Sequence, residues 1–431
     1  MIDLRTDRPL LSGIAAEDPA RDLGRWRLTV ATIAVAITAL PLLRPSGPGN
    51  TGLVDLALLV AILAAVLSAS TRAYRIRLPY AFPTALTLLA GALAISWLPA
   101  NVSEVQRGGL ALVQDIFVFA WAAAITTVGQ DRRLLNTMFK AFAFSAVGWA
   151  ALLIVGELAG LTWVTGINSR DGIRASLTFG DPNLAADYFI CGLLVLRACQ
   201  RPRHRGWRFL CCTVIVVAIV MTLSNGGMLA LVTATVFGAL FALARRRGVV
   251  AAATVGVLIA TAVGVGATTI NVGPWVSRVE QSDALVRDSL GREAESSGSR
   301  SALASEGLTL WFHDDNVLGY GPSNTEATLR ASGAPYVKEA HDDYLGTLLE
   351  RGLIGGVGLI VLILGVAVRA RRISVGGGLK PELAAIVPRP ELLAAACIAI
   401  AMSAGFYEVL HFRHVWAVFG LIAALERANR S

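Results

Sequence analysis

A histidine followed by two aspartates is the feature of the sequence best suited to chemistry. His341, Asp342 and Asp343 precede an apolar stretch with Gly352 and Gly355, so the pattern is His-x10-Gly-x-x-Gly. Histidine titrates near neutral pH and is therefore a candidate for taking a proton from a hydroxyl group. In the structural alternative, His341 caps the helix that follows, and the two aspartates favour its positive N-terminus in either case.

Two neighbouring motifs bear on cofactors. Asp314 and Asp315, together with the aspartates after His341, are compatible with a cation site, although a solvated helix end is the simpler interpretation. The turn with Gly319 and Gly321 lacks the Lys-Ser/Thr pair of a nucleotide-binding loop. We therefore predict no metal and no other cofactor.

The chain that must position these residues is strongly apolar. Of its 431 residues, 55% are hydrophobic and 16% are charged, against roughly 25% charged in ordinary soluble domains. A membrane-spanning helix needs about 20 residues, so the hydrophobic residues suffice for about ten to twelve spans. This composition excludes a soluble enzyme, a disordered chain and a small disulfide-stabilised scaffold. The five cysteines lie in or beside apolar runs and are expected to be buried thiols.

We predict an all-α, polytopic integral membrane protein with about 12 transmembrane helices and one long external loop. The predicted organisation is a cytoplasmic N-terminal tail at 1–27, spans one to nine within 28–270, the long external loop at 271–340, spans ten to twelve within 341–425, and a cytoplasmic tail at 426–431. The apolar stretches are 28–43, 53–68, 81–98, 110–128, 138–158, 184–198, 209–223, 228–244, 249–270, 353–368, 392–410 and 415–425.

Basic residues indicate which side of the membrane each loop faces. About two thirds of the 38 Lys and Arg lie in the tails and in alternate loops, including the run from Arg245 to Arg247. Basic loops remain in the cytoplasm, so we expect both termini there. Scarce lysine beside abundant Ala, Arg and Gly suggests a bacterial genome, and hence a bacterial cytoplasmic membrane. The net charge of +8 then reports orientation rather than nucleic-acid binding.

Four acidic residues fall in the predicted outer halves of spans, namely Asp55, Asp115, Asp187 and Glu408. Charged groups at membrane depth are costly and often functional. A polar cavity that opens outward and pairing of each acid between helices explain this pattern equally well. The histidines show the same asymmetry, because four of the five are predicted to be external or at the outer interface: His313, His341, His411 and His414.

The long external loop is predicted to contain short amphipathic helices. Residues 277–295 show an amphipathic pattern, and a second helical stretch covers 300–312 before the Gly- and Pro-rich turn at 319–322. Loops of this length are usually functional or disordered. Such a loop can lie on the membrane face and cover a site.

The pattern from His341 to Gly355 resembles the signature of the O-antigen ligase family, which includes lipid-linked polysaccharide polymerases and O-oligosaccharyltransferases. Asp342 stands where the family usually has Asn, Ser or Gln. Arg300 and the stretch 315–322 resemble the family's Arg followed by Asn-Pro-Leu-x-Gly-x-Gly, with Val317 in place of the proline.

Two earlier stretches agree with this resemblance. Arg174 precedes Gly180-Asp-Pro-Asn183, which is similar to the family's Gly-x-Pro-Asn entry to a span. Ser224, Asn225 and Gly226 stand where many members have Ser-Arg-Gly, so Asn225 replaces an arginine that contacts phosphate in the family.

The resemblance implies a fold like that of the C-type glycosyltransferases and the transfer of a glycan from a polyprenyl-pyrophosphate carrier to an acceptor hydroxyl on the outer face. It implies three catalytic residues: His341 positions or deprotonates the acceptor, while Arg300 and Arg174 bind phosphate oxygens through their planar guanidinium groups. The candidate substrate-binding residues are Arg351, Asp342, Tyr320, Trp311 and Asn183.

Structural alternatives exist for several of these residues. Arg351 is alternatively suited to anchoring a lipid phosphate near the headgroups, and the external aromatic residues to seating the loop at the interface. The glycines that follow Arg351 are expected to allow close packing between membrane helices.

The implied partners are the lipid-linked glycan donor, membrane lipids and a hydroxyl acceptor that is a glycan, a lipid or an envelope polymer. No nucleic acid is expected. A ligase and a polymerase differ only in the acceptor, and the sequence does not separate them. The alternative function is that of a secondary transporter or a lipid-linked glycan flippase, which would have midplane ionisable residues and broken-helix repeats. A catalytically lapsed relative is a third possibility, suggested by Asn225 and Asp342.

Overall fold

The computed structural model describes residues 19–44, 51–71, 81–97, 102–166, 174–269, 301–312, 317–333, 342–375 and 378–430. Within these ranges the chain is helical and contains no β-strand, as predicted. A short 3-10 helix covers Leu177–Phe179. The α-helices are α1 (Pro19–Thr38), α2 (Leu53–Thr71), α3 (Ala81–Trp97), α4 (Val102–Val128), α5 (Arg132–Leu158), α6 (Thr162–Thr165), α7 (Pro182–Ala198), α8 (Arg205–Met221), α9 (Asn225–Arg247), α10 (Val249–Thr269), α11 (301–312), α12 (Thr325–Ala331), α13 (Asp343–Ser374), α14 (Pro381–Ala384), α15 (Glu391–Ala404) and α16 (Arg413–Arg430).

Each predicted apolar stretch contains a helix, but the predicted number of spans is not supported. In the described part of the chain, five helices are long and apolar enough to cross a membrane, namely α2, α4, α5, α9 and α13. Four others, α1, α3, α10 and α15, contain shorter apolar stretches of 10–17 residues. The helices α7 and α8 have only 17 residues each, and α16 carries charged residues at both ends. The structure is therefore that of a helical membrane protein, and its described residues do not support the count of 12 spans.

The burial pattern separates central helices from peripheral ones. Nearly all side chains of α7 and α16 are buried, so these two helices form the centre of the bundle. By contrast, α2 and α10 present large apolar side chains on the surface, and Leu56, Leu67, Val257 and Leu258 are each at least 63% exposed. Apolar surface of this extent is typical of a membrane protein.

Segments that the charge pattern assigned to the same side of the membrane lie together at one end of the bundle. Arg245, in the last turn of α9, binds the carboxylate of Glu391 at 2.9 Å. The backbone N–H of Arg389 donates to the carbonyl of Ala198 at 3.0 Å. We call this the basic end. Its contacts agree with the predicted alternation of loops, while its location in the cytoplasm stays a prediction.

The opposite end, which we call the loop end, is formed by turns from distant parts of the chain. These turns are 39–44, 174–181, 222–224, 317–323 and 405–412. The hydroxyl of Thr178 donates to the carbonyl of Pro41, and the N–H of Ala175 donates to the carbonyl of Met221 at 3.1 Å. The described candidate site residues lie on or beside these turns.

Candidate active site

Arg174 and Asn183, which the sequence placed in one motif, are in contact. Nη2 of Arg174 donates to Oδ1 of Asn183 at 3.0 Å, and Nε of Arg174 donates to the carbonyl of Thr222 at 3.2 Å. The hydroxyl of Ser224 donates to the same Asn183 oxygen at 2.7 Å. The guanidinium of Arg174 is thereby oriented by two different segments, the start of α7 and the turn before α9.

Side-chain caps determine where these two helices begin. Asp181 caps α7 by accepting the N–H of Asn183 at 2.7 Å, and Pro182 occupies the first turn, where a missing N–H has little cost. Ser224 caps α9 by accepting the N–H of Gly227 at 3.0 Å. Helix N-termini carry partial positive charge, so Arg174 lies beside two starts that favour an anion. We call Arg174, Asn183 and Ser224 the cradle.

Arg44 is a residue of this region that the sequence did not single out. It follows α1, is exposed, and packs its guanidinium against Gly180, where a Cβ atom would lie 2.3 Å from Nη2 of Arg44. Gly180 has a φ of +74°, a left-handed conformation that favours glycine. Only its position just after the first predicted span marks Arg44 in the sequence, as one of the few basic residues expected outside.

The two aspartates at the start of α13 have different structural roles. Asp342 caps the helix by accepting the N–H of Leu345 at 2.5 Å. It thus lies at the helix N-terminus, as expected. Asp343 is 5% exposed and accepts the N–H of Val409 at 2.8 Å. The interpretation of this pair as a solvated helix end is therefore wrong for Asp343, which joins α13 to the 405–412 turn.

The helix α13 is interrupted at Gly352, which has a φ of +59°. The turn at 317–321 replaces the hydrogen bonds that the helix loses there. The N–H of Leu353 donates to the carbonyl of Val317 at 2.9 Å, and the N–H groups of Tyr320 and Gly321 donate to the carbonyls of α13 residues 349 and 350 at 2.8 and 3.0 Å. The two Gly-rich motifs of the sequence thus meet at one point.

Glycine is required on both sides of this junction. A Cβ atom on Gly352 would lie 2.1 Å from the carbonyl oxygen of Val317, and one on Gly319 would lie 2.5 Å from the backbone nitrogen of Gly352. The predicted helix-packing role holds further along α13, because a Cβ atom on Gly358 would lie 2.9 Å from Cβ of Leu88 in α3. The first glycine of the motif therefore breaks the helix rather than only packing it.

Pairing between helices accounts for three of the four acids predicted near the outer face. The pairs are Asp115 with Arg351, Asp55 with Arg413 through contacts of 2.9 and 3.0 Å, and Asp187 with His414 at 2.8 Å. The fourth acid, Glu408, lies 3.9 Å from Nε2 of His411. A polar cavity is thus not needed to explain them, and Arg413 is a partner that the sequence did not single out.

Arg351 is committed to this internal pairing. Arg351 is 8% exposed, and its guanidinium donates to Asp115 and to the carbonyl of Leu89, the latter at 3.4 Å. The alternative interpretation of Arg351 as a surface anchor for lipid phosphate is therefore wrong. Its role in substrate binding stays a prediction.

The predicted aromatic ligands pack within the described part of the long loop. The hydroxyl of Tyr320 donates to the carbonyl of Leu310 at 3.3 Å, and its ring packs against the buried leucines of α11 and α12. The rings of Trp311 and Phe312 meet edge to face at 5.0 Å. Both aromatics thus pack within the loop, while seating at the membrane interface and stacking on sugar rings stay predictions.

Several predicted features lie outside the described residues, namely His341, Arg300, Asp314, Asp315 and the amphipathic stretch 277–295. Asp342 and the helix at 301–312 adjoin His341 and Arg300 in the sequence. In the part of the chain that the structure describes, no group of three or more His, Cys, Asp or Glu is arranged to hold a metal ion.

A known protein family matches a segment of the chain that includes part of this site. Residues 190–360 match the O-antigen ligase family model, which confirms the predicted resemblance to an O-antigen ligase-like family. The match begins within α7 and ends within α13, so it includes Ser224 and the break at Gly352 but not Arg174 or Asn183. No curated protein matches the chain at a significant level.

Proposed function

We propose that this membrane protein, whose residues 190–360 are O-antigen ligase-like, transfers a glycan from a polyprenyl-pyrophosphate carrier to an acceptor hydroxyl at its loop end. In this proposal the loop end faces the outside of a bacterial cytoplasmic membrane, and both termini are cytoplasmic. The observation that supports it most directly is the cradle, in which Arg174 is fixed between the starts of α7 and α9.

The proposed reaction is a single displacement at the anomeric carbon of the glycan. The acceptor oxygen bonds to this carbon while the bond from the carbon to the pyrophosphate oxygen breaks, and the electron pair leaves with the pyrophosphate. The acceptor proton passes to His341, a side chain that accepts and releases protons near neutral pH. The configuration at the anomeric carbon is inverted.

Arg174 and Arg300 are the proposed cations for the leaving group. Negative charge develops on the pyrophosphate in the transition state, and preorganised donors stabilise such charge without reorganising. The contacts of Arg174 with Asn183 and Thr222 provide this preorganisation. Because the donor is already activated as a pyrophosphate, the proposed reaction requires no metal and no other cofactor.

The acceptor distinguishes the two forms of this activity. A ligase transfers the glycan to a lipid or an envelope polymer, and a polymerase transfers it to another glycan. The cradle binds the part of the donor that both reactions share, so the proposal covers either acceptor.

Transport or flipping of a lipid-linked glycan is the alternative, and the break in α13 is the observation in its favour. Transporters of this kind use broken helices in symmetry-related pairs. Among the described helices, α13 alone contains such a break. The turn at 317–321 bridges it, which favours a fixed junction over a moving one.

The test is reconstitution of the full-length protein with a lipid-linked glycan. We expect the wild-type protein to form a new glycosidic bond, and His341→Ala, Arg300→Ala and Arg174→Ala each to slow transfer by about a hundredfold or more. Arg246→Ala, at an exposed position of the basic end, is the control and should retain the wild-type rate. Transfer at the wild-type rate by all three variants contradicts the site, and movement of glycan without a new bond supports the flippase.

A further inference from the structure

Arg44 lies at the loop end without an ion-pair or hydrogen-bond partner among the described residues. Other arginines at this end do have partners. Arg174 bonds to Asn183, and Arg413 bonds to Asp55 through two nitrogen atoms. A guanidinium that is exposed and has no protein acceptor retains its donors for a ligand.

The position of Arg44 is nevertheless fixed. The turn that carries it is tied to the segment before α7 by the hydrogen bond from Thr178 to Pro41. Its guanidinium packs against Gly180, whose lack of a side chain allows the contact. Arg44 is therefore held against the chain segment that starts α7, rather than being a long side chain free in solvent.

Two guanidinium groups consequently contact one short segment, residues 180–183. Arg44 packs on Gly180 at its beginning, and Arg174 bonds to Asn183 at its end. The carboxylate between them, on Asp181, accepts the N–H of Asn183 and caps the helix. The positive start of α7 and the two arginines together favour a multiply charged oxyanion.

We propose that Arg44 binds a phosphate group at the start of α7, next to Arg174. The inference rests on the proposed function for its preferred ligand, the pyrophosphate of the lipid carrier. A phospholipid headgroup offers the same phosphate chemistry at the same depth, and the experiment separates the two sources. Two fixed guanidinium groups suit a diphosphate, because each planar fork can take two oxygen atoms.

The test measures binding by the full-length protein in lipid nanodiscs. The probes are a polyprenyl pyrophosphate without glycan, the matching polyprenyl monophosphate, and nanodiscs in which an anionic phospholipid replaces a zwitterionic one. We expect Arg44→Ala to weaken binding of the pyrophosphate by about tenfold to a hundredfold, the range for a lost charge-assisted hydrogen bond. The loss for the monophosphate should be smaller, Arg44→Lys should restore only part of the affinity, and Arg246→Ala should bind as the wild type does.

A second variant tests the contact itself. A methyl group on Gly180 would occupy the place of the Arg44 guanidinium, so Gly180→Ala should weaken pyrophosphate binding as well. If both changes act through one contact, the double variant Arg44→Ala/Gly180→Ala should bind no more weakly than the weaker-binding single variant. Fully additive losses would contradict action through this contact. A thermal melt of each variant verifies that it is folded.

The outcomes distinguish this inference from the proposed reaction. A loss confined to the carrier probe, or one confined to the anionic phospholipid, supports a phosphate site and identifies its ligand. Unchanged affinity of folded Arg44→Ala for both overturns the inference, whether or not the protein transfers glycan. A wild-type protein that binds the carrier through Arg44 and transfers no glycan contradicts only the proposed reaction.

Discussion

Two groups of arginines at the loop end differ in their partners. Arg351 and Arg413 are 8% and 5% exposed and bind the carboxylates of Asp115 and Asp55. Arg174 bonds to an amide oxygen and a carbonyl. A buried arginine is paired with a carboxylate instead of with water. If its side chain moved to bind a ligand, the buried carboxylate would lose its compensating charge. An arginine that is committed to a buried carboxylate is therefore a poor candidate ligand for phosphate.

The largest expected effect is on the buried pair. Arg351→Ala leaves the carboxylate of Asp115 buried without its partner, and this should lower the free energy of unfolding by about 3–5 kcal/mol. Thermal unfolding in detergent measures the change. Arg330→Ala removes an exposed pair with Glu326 and should cost no more than about 0.5 kcal/mol.

A double variant separates structure from binding at the same position. In Asp115→Leu/Arg351→Met the uncompensated charge is absent, so most of the stability should return. If this variant binds polyprenyl pyrophosphate as the wild type does, Arg351 is not a substrate ligand. Loss of binding in the folded double variant would instead return Arg351 to the candidate ligands.

The cradle should show the opposite behaviour, a large effect on rate and a small one on stability. Arg174→Ala should lower the rate of glycan transfer by about a hundredfold to a thousandfold, as loss of one transition-state donor does. Asn183 keeps its hydrogen bond from Ser224, so the free energy of unfolding should fall by only about 0.5–1.5 kcal/mol. A stability loss as large as that of Arg351→Ala would remove the distinction between the two groups.

A smaller effect is expected where α13 breaks. Gly352→Ala introduces a side chain at a φ of +59° and 2.1 Å from the carbonyl of Val317, and should destabilise the protein by about 1–3 kcal/mol. Gly356→Ala is the matched control, because the nearest atom to its added Cβ lies 3.8 Å away. Equal melting temperatures for the two variants would contradict the junction described for 317–321.

The smallest effect concerns pH. Partial burial of the ring, together with the guanidinium groups of Arg351 and Arg413, lowers the pKa of His411, and Asp115 has the opposite effect. Glu408 lies 3.9 Å away. The unfolded chain therefore binds more protons than the folded one as pH falls through the ordinary histidine pKa of about 6.5. Wild-type stability should decrease between pH 7.5 and pH 5, roughly the range around this value.

His411→Gln should lose less stability over the same pH range, because the amide does not titrate. His204→Gln, at an exposed position of the basic end, is the control and should follow the wild type. A pH profile of His411→Gln that coincides with the wild-type profile would show that the charged surroundings of His411 do not affect its protonation.

Much of the helical arrangement follows from sequence. Apolar stretches locate the helices because hydrophobic runs of this length have few other structures in a membrane. The helix α7 does begin at the predicted Gly-x-Pro-Asn entry to a span, where Asp181 and Pro182 provide the helix cap. The predicted number of spans is not supported, because an apolar stretch does not show whether its helix is long enough, or free enough of charge, to cross.

The site was only partly predictable, because partners depend on tertiary contacts. Arg174 and Asn183 were identified from a local motif, and they do meet. Arg44 was not, since its contact with Gly180 brings together segments 136 residues apart. The break at Gly352 was also missed, because a glycine in an apolar stretch is equally compatible with close helix packing. Sequence supplies the residue types, and the fold decides which acid neutralises which arginine.

The turn at 317–321 bridges the break in α13 through hydrogen bonds, and this limits how the protein can open. If this turn moved away, the N–H of Leu353 would lose its acceptor. The carbonyls of Leu349 and Glu350 would lose their donors. Each such unsatisfied group costs about 1–3 kcal/mol when buried. These hydrogen bonds hold this part of the long loop against α13. In the proposed reaction, a long glycan chain would therefore enter or leave the site by a route that keeps the turn at 317–321 in place.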